Sequence, residues 1–224
     1  MSSAPRNPRP IEGVQTPTQA RARRTLNRIL DATESLLVET TLSSLPLSVV
    51  LKTAGVSNGA FYTRFRDKEA LSRALFARLH QESSSIIERS IDFQNWRGRS
   101  PREVVSLFVR EVLAIYRTRL GVIRALLDRS RHDGEHRATA IALLGDASRF
   151  LTRALYQTRP GKPNPAFEGE VRFAVRTLFA VLNQELLFGP AADAPPARRE
   201  RFERELETRL TLLMLRATGQ DQLL

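Results

Sequence analysis

Cysteine is absent from the 224 residues of this sequence, which excludes disulfide bonds, cysteine-ligated zinc and thiol nucleophiles. Long apolar runs are absent too, since none approaches the roughly 18 to 20 residues that a membrane-spanning helix needs. The first 13 residues are polar and rich in proline, and they lack the apolar segment of a secretory signal. These absences predict a cytoplasmic protein without a membrane partner.

Acidic residues are comparatively few. The chain has 24 Asp and Glu against 35 Lys and Arg, and its net charge is +11. Such an excess favours a polyanionic partner, either nucleic acid or an anionic membrane surface. The excess is densest in residues 1–24, which hold five arginines, one glutamate and four prolines. We predict that this segment is a disordered basic arm, which either contacts DNA or only keeps the protein in solution.

Strand-like alternation is lacking, and from residue 25 onward the apolar residues recur at helical spacing. We predict an all-α protein of about nine helices, with one domain at 25–75 and a second helical domain at 76–224. In the second domain Ser100-Pro101 starts a helix, and residues 120–127 form a short separate one. Residues 167–188 are apolar on nearly every side, which predicts a helix buried on more than one face.

The segment 47–68 has the pattern of a helix-turn-helix. A two-turn apolar helix ends at Gly55, a tight turn follows, and Ser57 can cap a second helix that begins with small or polar residues. Asn58 can donate and accept hydrogen bonds as an adenine contact requires, and Lys68 is positioned for a phosphate. The candidate DNA-binding residues from this pattern are Ser57, Asn58, Gly59, Ala60, Tyr62, Thr63, Arg64 and Lys68.

Three stretches resemble, in order and spacing, the N-terminal DNA-binding domain of the tetracycline-repressor (TetR) family. They are Ile29-Leu30-Asp31-Ala32, Ala54 to Tyr62, and Phe65 with Asp67-Lys68-Glu69-Ala70-Leu71. The resemblance covers about residues 25–80. It implies a homodimeric transcriptional regulator, usually a repressor, with an inducer pocket in the C-terminal domain and a dimer interface on the last two helices. Where the family has a threonine-rich start of its second helix, this sequence has Leu45-Pro46-Leu47, and Ser48 is the nearest replacement for the missing hydroxyl.

The helices predicted over 167–188 and 197–218 carry more apolar surface than one side of a bundle can cover, which favours a four-helix dimer interface. The residues assigned to that interface are Val171, Leu178, Leu182, Phe202, Leu206, Leu210 and Leu213. Aromatic residues at helical spacing in the same domain either line a ligand pocket or form ordinary core. The pocket candidates are Phe108, Val112, Tyr116, Phe150 and Phe179.

Two further patterns point to other chemistries. Residues 55–59 fit the G-x-S-x-G sequence of a hydrolase nucleophile elbow, but that elbow needs a preceding strand, where this pattern predicts a helix. His132 and His136 flank two carboxylates, yet Asp133 is better placed to cap the next helix. We therefore predict neither a metal nor a cofactor.

We predict that the protein is not an enzyme but a DNA-binding transcriptional regulator. In this interpretation a small-molecule inducer releases it from an inverted-repeat operator in double-stranded DNA. A helical enzyme and a basic interaction protein without DNA specificity are the alternatives.

Overall fold

The computed structural model describes residues 11–14, 20–92, 96–158, 164–185 and 196–218. These residues form eight α-helices and no strand, which confirms the all-α prediction. A short π-helical segment, Glu88–Asp92, follows the fourth helix. In this part of the chain no helix is long and apolar enough to cross a lipid bilayer. The helices are α1 (Ala20–Leu36), α2 (Leu47–Ala54), α3 (Asn58–Tyr62), α4 (Lys68–Ile87), α5 (Pro101–Ser130), α6 (Gly134–Thr158), α7 (Pro165–Asn183) and α8 (Pro196–Ala217).

The chain divides into two compact units, residues 1–78 and 79–224, which we call the N-terminal and C-terminal domains. Helix α4 contains the boundary between them. In the N-terminal domain α1 packs against α2, and the side chains of Arg78, Asp31 and Glu34 join α4 to α1 through N–O distances of 2.6 and 2.7 Å. The large side chains buried in this domain are Ile29, Leu37, Phe61, Phe65, Leu71, Leu75 and Phe76.

The starts of α4 and α5 follow capping signals in the sequence. Asp67 Oδ1 accepts a hydrogen bond from the Ala70 N–H at 2.7 Å, and Ser100 forms a reciprocal capping box with Glu103. Helix α3 ends at Tyr62, although the N–H of Phe65 still donates to the Phe61 carbonyl at 2.9 Å, and the backbone of Phe65 forms an isolated antiparallel bridge with Val14.

Part of the predicted disordered arm is ordered. The carbonyl of Gly13 accepts a hydrogen bond from the Arg66 N–H at 3.1 Å, and Arg73 Nε donates to the carbonyl of Glu12 at 3.2 Å. Gly13 has φ +73°, and a Cβ there would lie 3.1 Å from the Ala70 side chain, so the close approach needs glycine. The prediction of disorder for residues 1–24 is therefore wrong for residues 11–14, which backbone pairing fixes, and for residues 20–24, which form the start of α1. Residues 1–10 and 15–19 lie outside the described residues.

The part of the chain that the structure describes has eight α-helices where the sequence predicts about nine, and helix α5 accounts for the difference. The segment 120–127, predicted as a separate helix, is the second half of α5, which bends at Arg119 (φ −123°, ψ 17°). Arg119 also pairs with Glu82 of α4. Helix α5 packs against α6 and α8, and α7 packs against the same two helices. The C-terminal domain is thus a bundle with one interrupted long helix.

Helices α7 and α8 use most of their apolar residues inside the chain. A side chain that is buried within its own chain adds no area to a contact with a second chain. The prediction that these residues lie at the dimer interface is therefore corrected: they belong to the core of the C-terminal domain. The five residues to which this applies are Val171, Leu178, Leu182, Leu206 and Leu210. Of the remaining predicted residues Phe202 is half-buried and Leu213 is 38% exposed, while Phe173, which the sequence pattern did not assign, is 60% exposed.

Candidate nucleic-acid interface and ligand cavity

The turn between α2 and α3 depends on Gly55. This residue has φ +60° and ψ 44°, and the N–H of Val56 donates to the carbonyl of Leu51 at 3.0 Å, which ends α2. Arg28 of α1 donates from Nη2 to the Gly55 carbonyl at 2.9 Å. A Cβ at Gly55 would lie 2.5 Å from that same nitrogen. The turn is therefore fixed both by its backbone conformation and by a contact from α1.

Helix α3 is anchored through one side and exposed on the other. The ring of Phe61 is fully buried and packs 5.1 Å from that of Phe65, centroid to centroid. Ser57 caps the helix by accepting the Ala60 N–H at 3.3 Å, as the sequence predicts. The exposed residues of this stretch are Ser57, Asn58, Gly59, Tyr62 and Thr63, and Ala60 and Arg64 are half-buried.

The predicted DNA-binding residues of α3 therefore lie together around one exposed helix. Apart from its chain neighbours and the backbone of its own helix, no heavy atom lies within 4 Å of the position that a Cβ on Gly59 would take, so the surface there is open. The Thr63 hydroxyl donates to the Gly59 carbonyl at 2.8 Å, which leaves its lone pairs facing outward as acceptors. Ser48, on α2, is exposed as well. This surface can offer donors and acceptors to a groove without displacing core side chains.

Lys68 has a structural partner that the sequence did not reveal. Its ammonium donates to the carbonyl of Leu45 at 2.6 Å and to that of Ser43 at 3.3 Å, both in the loop before α2. The side chain is half-buried. Lys68 thus joins the start of α4 to the loop before α2. An experiment on Lys68 must therefore distinguish this structural role from a phosphate contact.

Arg28 is a functional candidate that sequence reasoning missed. It holds the carbonyl of the turn glycine, although its sequence spacing marks it only as a residue of the polar face of α1. The contact joins residues 27 positions apart, and helical periodicity carries no signal for such a pairing.

The C-terminal domain contains an apolar cavity of about 100 Å³ between α4, α5, α6 and α7. Val112, Tyr116 and Phe179 line it, as the pocket prediction proposed, and the rings of Tyr116 and Phe179 meet edge to face with centroids 5.9 Å apart. Phe108 does not reach the cavity and is fully buried core. Phe150 is also buried elsewhere, beneath the guanidinium groups of two neighbouring arginines on α6. For these two positions the ordinary-core interpretation is correct.

The polar groups of the cavity wall were only partly visible in the sequence. Tyr116 donates from its hydroxyl to Asn183 Oδ1 at 2.6 Å, and burial raises the pKa of Tyr116 well above its usual value, so the hydroxyl stays protonated. Ser84 also lines the cavity, and its hydroxyl donates to Asp146 Oδ2 at 3.0 Å. His80 Nε2 lies 3.0 Å from the same carboxylate oxygen.

The hydrolase-like and metal-like patterns both fall at helix boundaries. Residues 55–59 follow helix α2 rather than a strand, so they lack the geometry of a nucleophile elbow. Asp133 Oδ1 accepts the N–H groups of Glu135 and His136 at 2.7 and 3.1 Å, which confirms its capping role. His132 is exposed whereas His136 is buried. The spacing of these histidines therefore reflects a helix start.

Comparison with known proteins identifies the N-terminal domain and the fold. Residues 29–75 match the family model of bacterial regulatory proteins, tetR family. No curated protein matches the sequence. Among solved structures, a transcriptional regulator (TerR/AcrR family) from Aquifex aeolicus VF5 is 21% identical with a TM-score of 0.56, and covers 84% of this chain and 95% of its own.

Two further structures share the fold. GusR of Salmonella enterica is 21% identical with a TM-score of 0.59, over 85% of this chain and 95% of that one. A TetR transcriptional regulator from Rhodococcus sp. RHA1 is 19% identical with a TM-score of 0.53, over 86% and 97% of the two chains. These likenesses extend over both domains. Residues 29–75, which match the family model, contain the exposed helix-turn-helix. The chain is therefore a DNA-binding transcriptional regulator that carries the N-terminal domain of the tetR family.

Proposed function

We propose that the protein is a homodimeric repressor that leaves its operator when a small molecule occupies the C-terminal cavity. The observation that carries the DNA-binding half of this proposal is the exposed polar surface of α3, which stands on the buried rings of Phe61 and Phe65. Because those rings fix the helix, the polar side chains reach a groove from a rigid base. A regulator of this kind acts where the chromosomal DNA lies, in the cytoplasm.

Asn58 is assigned to base reading. Its amide can donate to and accept from an adenine edge in the major groove, and its side chain is exposed at the start of α3. The helix cap is supplied by Ser57 instead, so Asn58 is not needed to start the helix. Ser48, Tyr62 and Thr63 are assigned to phosphate oxygens, which position the protein without reading sequence.

The experiment begins with selection of duplexes from random DNA by the full-length protein. Asn58→Ala should weaken binding to the selected site by about 1–3 kcal/mol and relax the preference at one base position in each half-site. Its salt dependence and melting temperature should stay unchanged, since no charge and no cap is removed. Equal weakening on every single-base variant would contradict the base-reading role.

Lys68 provides the comparison with Asn58, because it is assigned to a phosphate contact, which positions the protein on DNA without reading the sequence. If it holds a phosphate, Lys68→Ala should weaken all DNA sequences alike and lower the salt slope by about one unit per half-site. Loss of its hydrogen bonds to Leu45 and Ser43 should also lower the melting temperature. A lower melting temperature with an unchanged salt slope would assign Lys68 to the fold alone.

The partner in dimerisation is a second copy of the chain, with exposed apolar residues of α7 and α8 at the contact. Phe173 and Leu213 are the exposed members, and Phe202 is half-buried. A two-fold dimer presents two recognition helices, so the operator should be an inverted repeat with half-sites about one helical turn apart. Light scattering at micromolar concentration should give the dimer mass, and Leu213→Glu should lower it. A wild-type monomer that protects a single half-site in footprinting would contradict this arrangement.

Ligand control follows from the linkage of two equilibria. A small molecule that favours a conformer with mismatched recognition helices lowers DNA affinity, and DNA lowers ligand affinity by the same factor. Helix α4 begins with Lys68 and contributes Leu79 and Ile87 to the cavity wall, so a single element connects ligand contact with the DNA-binding domain.

A further inference from the structure

The cavity wall is apolar and carries no charged residue. Each of the four helices α4 to α7 contributes side chains, and most are aliphatic, such as Ile87, Ile115, Leu126 and Leu143. The two alanines of α6 on the wall, Ala140 and Ala147, leave the space that larger side chains would fill. A wall of this kind stabilises an apolar molecule through the water that both surfaces release.

The hydrogen-bonding groups that face the cavity are few. The hydroxyl of Ser84 is directed to Asp146, which in turn pairs with Arg149. The hydroxyl of Tyr116 is directed to Asn183 Oδ1, which leaves the lone pairs of the tyrosine oxygen and the amide N–H groups of Asn183 for another partner. The Tyr116–Asn183 pair can therefore form a hydrogen bond with a bound molecule, as can Ser83, the remaining polar residue of the cavity wall.

This pair also lies near solvent. Leu144, Phe179 and Asn183 line the cavity and also a groove on the surface of α6 and α7, and all three are half-buried. They form the partition between the two spaces. Asn183 of the Tyr116–Asn183 pair therefore lies where the cavity adjoins the surface groove.

We propose that the cavity binds an uncharged, largely apolar small molecule of about one ring, whose single hydroxyl or carbonyl group bonds to the Tyr116–Asn183 pair. The regulatory meaning of this site rests on the proposed function, but its ligand chemistry does not. An ionised ligand is excluded because the lining residues include no charged group, and an unpaired charge is costly to bury. The volume of about 100 Å³ limits the molecule to about one ring at most, since an engineered apolar cavity of about 150 Å³ holds benzene.

Three one-ring probes test the proposal on the full-length protein without DNA: toluene, benzyl alcohol and benzoate. Calorimetry or ligand-observed NMR should detect toluene and benzyl alcohol, with benzoate at least about a hundredfold weaker than benzyl alcohol. Binding of benzoate as tight as that of benzyl alcohol would overturn the proposal, as would the absence of binding by toluene and benzyl alcohol.

Tyr116→Phe examines the hydrogen bond. It should weaken benzyl alcohol about fivefold and leave toluene within about twofold, because only the hydroxyl partner is lost. Tyr156→Phe is the matched control, since Tyr156 is bonded to Asn164 and is not among the cavity residues, and it should change neither affinity. Equal weakening of both probes by Tyr116→Phe overturns the assignment. If this variant does not fold, Asn183→Leu should give the same selective loss.

The location is tested by filling the cavity. Ala140→Leu should reduce the affinity for both uncharged probes at least about tenfold, whereas Ala138→Leu, exposed on the same helix, should leave them unchanged. Unchanged binding in Ala140→Leu would place the probes elsewhere and overturn the proposal. Titration with operator DNA then separates the proposed ligand chemistry from the proposed regulatory function. If the probes bind with the predicted selectivity but leave DNA affinity constant, only the regulatory function is contradicted. If a charged effector releases DNA and displaces toluene, only the ligand class is contradicted.

Discussion

The two domains put their functional groups in opposite environments. In the N-terminal domain most candidate residues are exposed and lie in or beside a helix of five residues. In the C-terminal domain they are mostly apolar, buried and spread over four long helices. DNA recognition needs particular atoms at fixed positions, and residues close in sequence can provide them. A ligand cavity is a volume that side chains leave empty, so no local motif has to mark it.

The largest expected effect tests the rigid base of the N-terminal domain. Phe61→Ala removes a fully buried ring and should lower the free energy of unfolding by about 3–5 kcal/mol. The adjacent Tyr62 is 59% exposed, so Tyr62→Ala should change stability by less than about 1 kcal/mol while weakening DNA binding. Urea unfolding of the two variants measures the contrast. Similar losses in both would show that α3 is not anchored on one side only.

A smaller effect separates the two glycines of the helix-turn-helix. Gly55→Ala forces a left-handed residue and displaces the Arg28 side chain, so it should destabilise the domain by about 1–3 kcal/mol. Gly59→Ala lies in open space inside a helix and should stabilise it by up to about 1 kcal/mol.

The DNA affinity of Gly59→Ala decides what the open space is for. If the backbone of Gly59 approaches DNA closely, the added methyl group should weaken operator binding although the protein is more stable. Retained affinity would instead show that this surface stays clear of the groove. Thermal melting and a binding titration on the same preparations give both quantities.

The smallest expected effect is the pH dependence of the α4 cap. The pKa of Asp67 lies below its ordinary value, first because the Ala70 N–H donates to its carboxylate and next because Arg66 pairs with it. A lowered pKa in the folded state means that the stabilisation is present above about pH 4 and is lost as the pH falls through the folded value. Asp67→Asn keeps a capping oxygen but removes the negative charge at the N-terminus of α4, so it should be less stable by about 0.3–1 kcal/mol at pH 7, and the difference should shrink at pH 3. A difference that grows on acidification would contradict the sign. Melting curves at both pH values provide the comparison.

Local chemistry made the N-terminal domain predictable from sequence. The turn glycine, the Ser57 and Asp67 caps and the Phe61–Phe65 spacing each act within a few residues, and together they specify the helix-turn-helix. The long-range bonds of Arg28 and Lys68 could not be predicted, because they join segments 23 to 27 residues apart. Their partners are backbone carbonyls, which every residue has, so side-chain identity carries no signal for the pairing.

The C-terminal domain was predictable only as helices. Periodicity identifies apolar faces but does not tell which of several neighbouring helices covers them, so Leu178 and Leu210 were assigned to a partner chain although their own chain buries them. The same ambiguity placed Phe108 in a pocket. The bend at Arg119 was interpreted as a helix end because a local interruption of the pattern looks alike in both cases.

That bend gives α5 a point at which its direction can change while both halves remain helical. Val112 and Tyr116 line the cavity before the bend, and Ile123 and Leu126 line it after. A change of the torsion angles at Arg119 would therefore alter the distance between these two pairs of lining residues. The backbone around residue 119 should be the first part of α5 to exchange its amide hydrogens with deuterium. A molecule that contacts both halves of α5 should slow this exchange at the bend, although it does not touch the bend itself.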